Sequence, residues 1–229
     1  MIAKYLYSFV AILFCTVSLL SAQAPDSKDI IFYQLMSVRG TSNTEAFIGS
    51  EYLFDEWYPA EMTLKSGAKA NLNNVKINLR SSNVDALFLG EEKELLAVFF
   101  DEVIINAGGH QRKFYSNKAK EIKGMTDPGF YEEIGKAKDK VIVRHSSYIQ
   151  KPDPQAKILG LETRHKIVKR SNTFILKDDK LYEIKSKKDI KNLYKSKSSK
   201  LDEIFENHRI DIKNPESLAF LIEHLENTL

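Results

Sequence analysis

At 229 residues, 43% of them hydrophobic, the chain is too apolar for a disordered polymer and long enough to bury one sizeable core. Its formal net charge of +3 lacks the lopsided basicity of a dedicated nucleic-acid binder. A single cysteine, Cys15, excludes a disulfide framework within the chain.

The N-terminus reads as a secretory leader. Lys4 supplies the positive end, and Phe9 to Leu20 forms an apolar core broken only by Thr16 and Ser18. Small residues Ser21, Ala22 and Ala24 follow, as a signal-peptidase site requires. Cleavage after Ala24 would leave Pro25 first, which peptidases tolerate poorly, so cleavage after Ala22 is expected and 1–22 is the signal peptide. The apolar run is shorter than the roughly 20 residues that span a bilayer. No transmembrane anchor is therefore expected after processing. Leu13 and Phe14 before Cys15 do not fit a lipoprotein signal, which wants a small residue there. The expected product is exported, periplasmic or extracellular, and not lipidated. Without cysteine it has no thiol nucleophile and no Cys-ligated metal.

In chain order, Ile30 to Val38 reads as a first strand and Gly40 to Asn43 as a loop. Gly49 to Tyr58 is the most distinctive stretch, with Tyr52, Phe54, Trp57 and Tyr58 interleaved with Glu51, Asp55 and Glu56. Two readings compete there: a platform for a ligand, and a plug of large side chains closing one end of a sheet. From Glu61 a meander follows. Met62 to Lys65 turns at Ser66-Gly67 into Ala70 to Leu72, and Val75, Ile77 and Leu79 alternate with Lys76, Asn78 and Arg80. Further strands are expected over Val84 to Leu89, Leu95 to Phe100, Val103 to Ile105 and Arg112 to Tyr115. Short strands at this spacing predict an antiparallel sheet that curls toward a barrel or half-barrel. Ser116 to Gly129 reads as an exposed loop. Glu91, Glu92, Glu94, Glu132 and Glu133 fall in or beside turns, where solvated carboxylates are the ordinary expectation.

The spine is a long hairpin over Lys140 to Arg170. Val141, Val143, His145, Ser147 and Ile149 alternate with Ile142, Arg144, Ser146 and Tyr148. Leu159, Leu161, Thr163, His165 and Ile167 do the same in the second arm. Pro152 and Pro154 break the pairing between the arms. With the turn centred on Gln155, His145 lies opposite His165, a weak candidate metal pair that has no third ligand. A last hairpin joins Thr173 to Leu176 with Leu181 to Ile184.

Beyond it the period changes. Ser186 with Asp189 three residues on caps a helix carrying Ile190, Leu193 and Tyr194. Leu201, Ile204 and Phe205 repeat the spacing, and Asn214-Pro215 opens a third helix with Leu218, Leu221, Ile222 and Leu225 as its stripe. The expected fold is α+β: an antiparallel meander with a long central hairpin, then three short amphipathic helices docked on the sheet. Residues 25–229 form one domain on this reading, β-rich over 30–185 and helical over 186–229.

The run Gly49-Ser50-x-Tyr52-Leu53, Trp57, the Ser66-Gly67 turn, Phe130-Tyr131-x-x-Ile134-x-Lys136 and the Lys-rich helical tail resembles a group of uncharacterised exported proteins of Bacteroidota. The resemblance spans most of the chain after the leader. It implies export and the β-then-α order, and carries no activity or site.

The sequence holds no Gly-x-Ser-x-Gly, His-Glu-x-x-His, P-loop or EF-hand string. No catalytic residue, cofactor or metal site is therefore assigned. Charge is uneven: residues 138–200 hold 18 Lys+Arg against 7 Asp+Glu, and residues 201–229 hold 2 against 7. That basic band suits an anionic envelope component, set against solvated lysines neutralised by the acidic tail. No aromatic interleaving supports nucleic acid. Tyr52, Trp57, Tyr58, Arg164, Lys166 and Arg170 are the candidate binding surface. The expected function is a non-catalytic exported envelope protein that binds a partner, another envelope protein among them, or a ligand. A hydrolase with an unrecognised acid/His site is the alternative.

Overall fold

Strand pairing runs through most of the chain and orders everything else. The computed structural model describes residues 36–38 (backbone only), 47–88, 90–116, 124–125, 127–155 and 158–227. The leader and its cleavage sites lie outside the described residues.

The strands are β1 (Met36–Val38), β2 (Phe47–Ile48), β3 (Tyr58–Leu64), β4 (Lys69–Asn78), β5 (Asn83–Phe88), β6 (Glu91–Leu95), β7 (Phe100–Ala107), β8 (His110–Ser116), β9 (Phe130–Ile134), β10 (Lys140–Gln150), β11 (His165–Lys177) and β12 (Lys180–Glu183). Eleven follow one path, β1-β6-β5-β4-β3-β7-β8-β9-β10-β11-β12, and β2 joins β11 in parallel. The sheet is open, and the parallel β2–β11 pair makes it mixed, not wholly antiparallel as expected. Three helices follow: α1 (Lys187–Leu193), α2 (Ser198–Asn207) and α3 (Pro215–Asn227).

The meander differs from expectation in one place. Leu95 to Phe100 is not a strand: Glu91–Leu95 pairs with β5, the chain turns through Leu96 to Phe99, and Phe100 opens β7. The acids Glu91, Glu92 and Glu94 therefore stand in a strand, not a turn. Of the strand expected over Ile30 to Val38, the described part is Met36–Val38, paired with β6.

The central hairpin is longer than expected and differently registered. Its first arm is Lys140–Gln150, but its second is His165–Lys177, with Lys140 opposite Leu176 and Gln150 opposite Lys166. His145 therefore faces Ser171, not His165; the expected histidine pairing is wrong. The prolines stop the ladder where expected. The loop then continues, because the N–H groups of Ile158 and Leu159 both donate to the Gln155 carbonyl and form a local turn. Leu159 and Leu161 sit in that loop and are exposed. The register shift is even, so each residue keeps its face while every partner changes. Thr173 to Leu176 is the end of this arm, and β12 pairs with it across Asp178 and Asp179, both at positive φ as a tight two-residue turn demands.

One face of the sheet buries Met62, Val103, Ile105, Phe114, Phe130, Val141 and Val143. Segment 47–53 sits at its margin. Phe47 and Ile48 pair with His165 and Lys166, while the Leu53 N–H donates to the Ile77 carbonyl (2.9 Å) and the Leu79 N–H to the Glu51 carbonyl (2.8 Å). Five strand spacings separate β3, which lies beside β4, from β11 in the order, about 24 Å in a flat sheet. Three residues from Ile48 to Glu51 reach at most about 11 Å. The sheet therefore cannot be flat across these strands. Gly49 makes the crossing possible: φ is +96°, and a Cβ there would lie 2.8 Å from the Ile167 carbonyl oxygen.

The helices cover the other end of that face. Val141 and Ile175 pack with Ile190, Tyr194, Leu201, Ile204, Leu218, Leu221, Ile222 and Leu225. Ser186 caps α1 with the expected box, and Asn214 accepts the Ser217 N–H (2.9 Å) at the start of α3. Glu223 and Glu226 of α3 accept backbone N–H groups of Lys136, Lys138 and Asp139 at 2.7–2.8 Å. Asp139 in turn accepts from Tyr194 (2.8 Å) and Lys177 (3.1 Å). Burial and the Asp139 carboxylate push the Tyr194 phenol up, so it stays a donor. The helices are thus bonded to the β9–β10 connection as well as packed on it. Residues 36–229 cluster as one unit.

The opposite face carries a smaller cluster, Tyr115, Met125, Tyr131, Ile142 and Leu181. Met125 is buried there, so the stretch expected as an exposed loop contributes to packing. Gly129 lies against β10, where a Cβ would stand 2.5 Å from the His145 carbonyl oxygen at φ +137°. Gly129→Ala is expected to cost about 1–3 kcal/mol, read as a lowered urea midpoint.

Candidate functional site: a polar line across four strands

Within the apolar face, one polar line crosses from β8 to β11. Phe114 lies opposite Glu132, Glu132 opposite Val143, and His145 opposite both Phe130 and Ser171. Period-two alternation then puts Arg112, Glu132, His145 and Ser171 on one face. Arg112 grips Glu132 with both arms of its guanidinium, Nε to Oε1 at 2.5 Å and Nη2 to Oε2 at 2.6 Å. His145 places Nε2 2.8 Å from Glu132 Oε2 and Nδ1 3.1 Å from Ser171 Oγ. Glu132 is 4% exposed and His145 8%. The expectation of a solvated Glu132 is therefore wrong. Phe130-x-Glu132-x-Ile134 already had the alternation that sends Glu132 inward, and that was the available signal.

Aromatic rings wall the line. Phe54 meets Phe114 edge-on (6.1 Å) and Tyr58 (5.4 Å), the Phe114 ring lies 6.2 Å from His145, and the Arg112 guanidinium sits over Phe54 at 4.8 Å. Burial alone would raise the Glu132 carboxyl. The Arg112 bonds and His145 outweigh it and hold the group below the ordinary carboxylate range. The sign follows: a carboxyl lowered in the folded state stabilises the fold above its unfolded value and loses that contribution as pH falls through the folded one. Glu133, held low by Tyr115, Lys140 and Lys113 against its own burial, acts in the same direction. Stability should fall as pH drops below about 4.5, the ordinary value of both groups. Thermal midpoints measured against pH check this, and Glu132→Gln should flatten the fall.

A second polar group lies under segment 47–58. Asp85 is buried and accepts from Tyr52 Oη (3.0 Å) and Asn78 Nδ2 (3.3 Å). The Lys76 ammonium stands over both Tyr52 (4.9 Å) and Trp57 (4.7 Å). A pocket of about 250 Å³ opens beside them, lined by Phe47, Ser50, Glu51, Tyr52, Arg80 and Ile167.

The sequence candidates are thus divided. Tyr52 and Trp57 meet at Lys76, and Tyr58 packs on Phe54. Arg164 is exposed and pairs with Glu162 (2.9 Å), and Lys166 and Arg170 project from the face of β11 opposite Ile167 and Lys169. His165 is exposed, 6.0 Å from the Phe47 ring, while His145 is buried with Glu132. Among the described residues, no group of three or more His, Cys, Asp or Glu is placed to hold a metal ion. Sequence reading missed Arg112 and Ser171, whose strand partners could not be known without the register.

No protein-family model, curated protein or solved structure matches the chain.

Proposed function

We propose that this chain is a non-catalytic exported protein of the cell envelope. On this reading a sheet curled into a half-barrel presents the exposed cations of its long hairpin to an anionic partner. The observation that carries the reading is the occupancy of the polar line. Both Glu132 oxygens are bonded by Arg112 in a two-armed ion pair, which supports a structural role for the carboxylate that His145 shares. The cations Arg164, Lys166 and Arg170 face solvent instead. The tripartite leader supports export. Intact-mass analysis of protein from its host is expected to show loss of residues 1–22; a retained Met1 would count against export.

Binding is tested with the chain starting at Gln23, applied to a sulfated polysaccharide matrix at low salt. Retention is expected, with salt-dependent release and earlier elution of Lys166→Glu/Arg170→Glu. Passage through the matrix without delay would contradict the reading.

The 3.1 Å approach of Ser171 Oγ to His145 Nδ1 favours a second reading, a hydrolase with Ser171 as nucleophile and Glu132–His145 behind it. Screening against generic ester, glycoside and phosphate substrates separates the two. Turnover that disappears in His145→Ala would select the hydrolase.

A further inference from the structure

The β10–β11 hairpin outruns the sheet that supports it. Strand β9 pairs with β10 only from Val141 to His145, so Ser146 to Gln150 lack a β9 neighbour. Their pairing is with β11, whose outer edge meets β2 at His165 and Lys166 and β12 from Phe174 to Lys177, with no strand between them among the described residues. The ribbon and its loop therefore project. Large apolar side chains gather at this projection: Ile158 is 85% exposed, Leu159 63%, Leu161 60%, Tyr148 52% and Ile149 42%. Isolated exposed leucines need no explanation, but Ile158, Leu159 and Leu161 are three exposed aliphatics within four positions of one loop, with Tyr148 and Ile149 on the two faces of the ribbon beneath it.

Charge surrounds the patch. Residues 148–170 contain six Lys+Arg and two Asp+Glu. Lys151, Arg164, Lys166 and Arg170 are exposed, and Lys169 reaches Asp55 at 3.6 Å. Of the two acids, Glu162 is paired with Arg164, and Asp153 accepts the Gln155 N–H of its own turn (2.8 Å). Aliphatic groups at the end, cations behind them and a tyrosine at the boundary match the depth profile of a bilayer surface: acyl chains, anionic headgroups and the interface between. A protein partner fits less well. A single loop offers a few side chains, whereas stable protein interfaces bury about 1,200–2,000 Å² in total.

We infer that the tip of the β10–β11 hairpin is a membrane-docking element, seating Ile158, Leu159 and Leu161 among the acyl chains of an anionic phospholipid surface while Lys166 and Arg170 hold the headgroups. This rests on the anionic-partner reading above and names the partner's class. The contact is peripheral and reversible, since one short apolar loop gives marginal partitioning unless charge adds to it.

The test is co-sedimentation of the chain starting at Gln23 with vesicles of mixed phosphatidylglycerol and phosphatidylcholine, against phosphatidylcholine alone. The leader is omitted because it would itself partition, and the unit from Met36 onward is retained whole. Binding to the mixed vesicles is expected, weakening with salt. Ile158→Ser/Leu159→Ser/Leu161→Ser and Lys166→Glu/Arg170→Glu should each lower it about tenfold or more. All five positions are exposed, so both variants should keep the parent's thermal midpoint. Retention on the sulfated matrix without binding to either vesicle would overturn the lipid assignment and leave the anionic-partner reading standing; failure of both would remove both. Vesicle binding unchanged in the apolar variant would overturn the role of the tip. So would a chain that self-associates through those three residues and ignores vesicles.

Discussion

Arg112→Ala should destabilise the protein by about 3–5 kcal/mol, the cost of stranding one member of a buried ion pair. The reason lies in what remains. Glu132 is 4% exposed, and without the guanidinium it keeps only His145 as a partner for two oxygens. Arg112→Lys should recover only part of the loss, since an ammonium cannot reproduce the two-armed contact or the stacking over Phe54. Replacing both partners with apolar residues, Arg112→Met with Glu132→Leu, should recover more than either single change, because no charge is then left buried. Urea denaturation of the four chains measures this. A single variant within about 0.5 kcal/mol of the parent, the usual range for surface changes, would mean that the line is solvated.

The second large effect belongs to the helices. Leu221 on α3 is fully buried against Val141 and Ile175 and their neighbours, so Leu221→Ala should cost ~2–5 kcal/mol as a core cavity does. Removing residues 214–229 should cost more. It would uncover Val141 and Ile175, and it would leave the N–H groups of Lys136, Lys138 and Asp139 without Glu223 and Glu226. An unchanged thermal midpoint after that deletion would make α3 an appendage.

What the sequence made legible followed local rules. Ser186 with Asp189 and Asn214 with Pro215 mark helix starts because capping depends on residues a few positions apart. The Ser66-Gly67 and Asp178-Asp179 turns were readable for the same reason. The first arm of the central hairpin was clear from its alternation. Its partner was not. Alternation runs on both before and after Ile167, so it fits Leu159 to Ile167 as well as Ile167 to Ile175. The prolines mark where pairing stops, not where it resumes. The wrong register then paired His145 with His165. It also hid Ser171, which meets His145 only across the true ladder.

The polar line was opaque for a related reason. Arg112, Glu132, His145 and Ser171 come from four strands, and each alone looks like an ordinary residue of its type. Phe130-x-Glu132-x-Ile134 showed that Glu132 points inward, yet its partner Arg112 lies 20 residues away on the neighbouring strand. Such pairings depend on register, and register depends on the whole sheet. The exposed apolar tip was hidden differently: Leu159 and Leu161 satisfied a strand pattern, and only their place in a loop reveals them as a surface.

On the proposed reading, Glu132 and His145 serve the fold and not a reaction. A serine-reactive fluorophosphonate, followed by intact-mass and peptide mapping, tests it most directly. A catalytic Ser171 would be activated by its histidine and carry the adduct. An unmodified chain is expected after prolonged exposure, with Ser171→Ala and His145→Ala equally unmodified. An adduct on Ser171 that disappears in His145→Ala would contradict it.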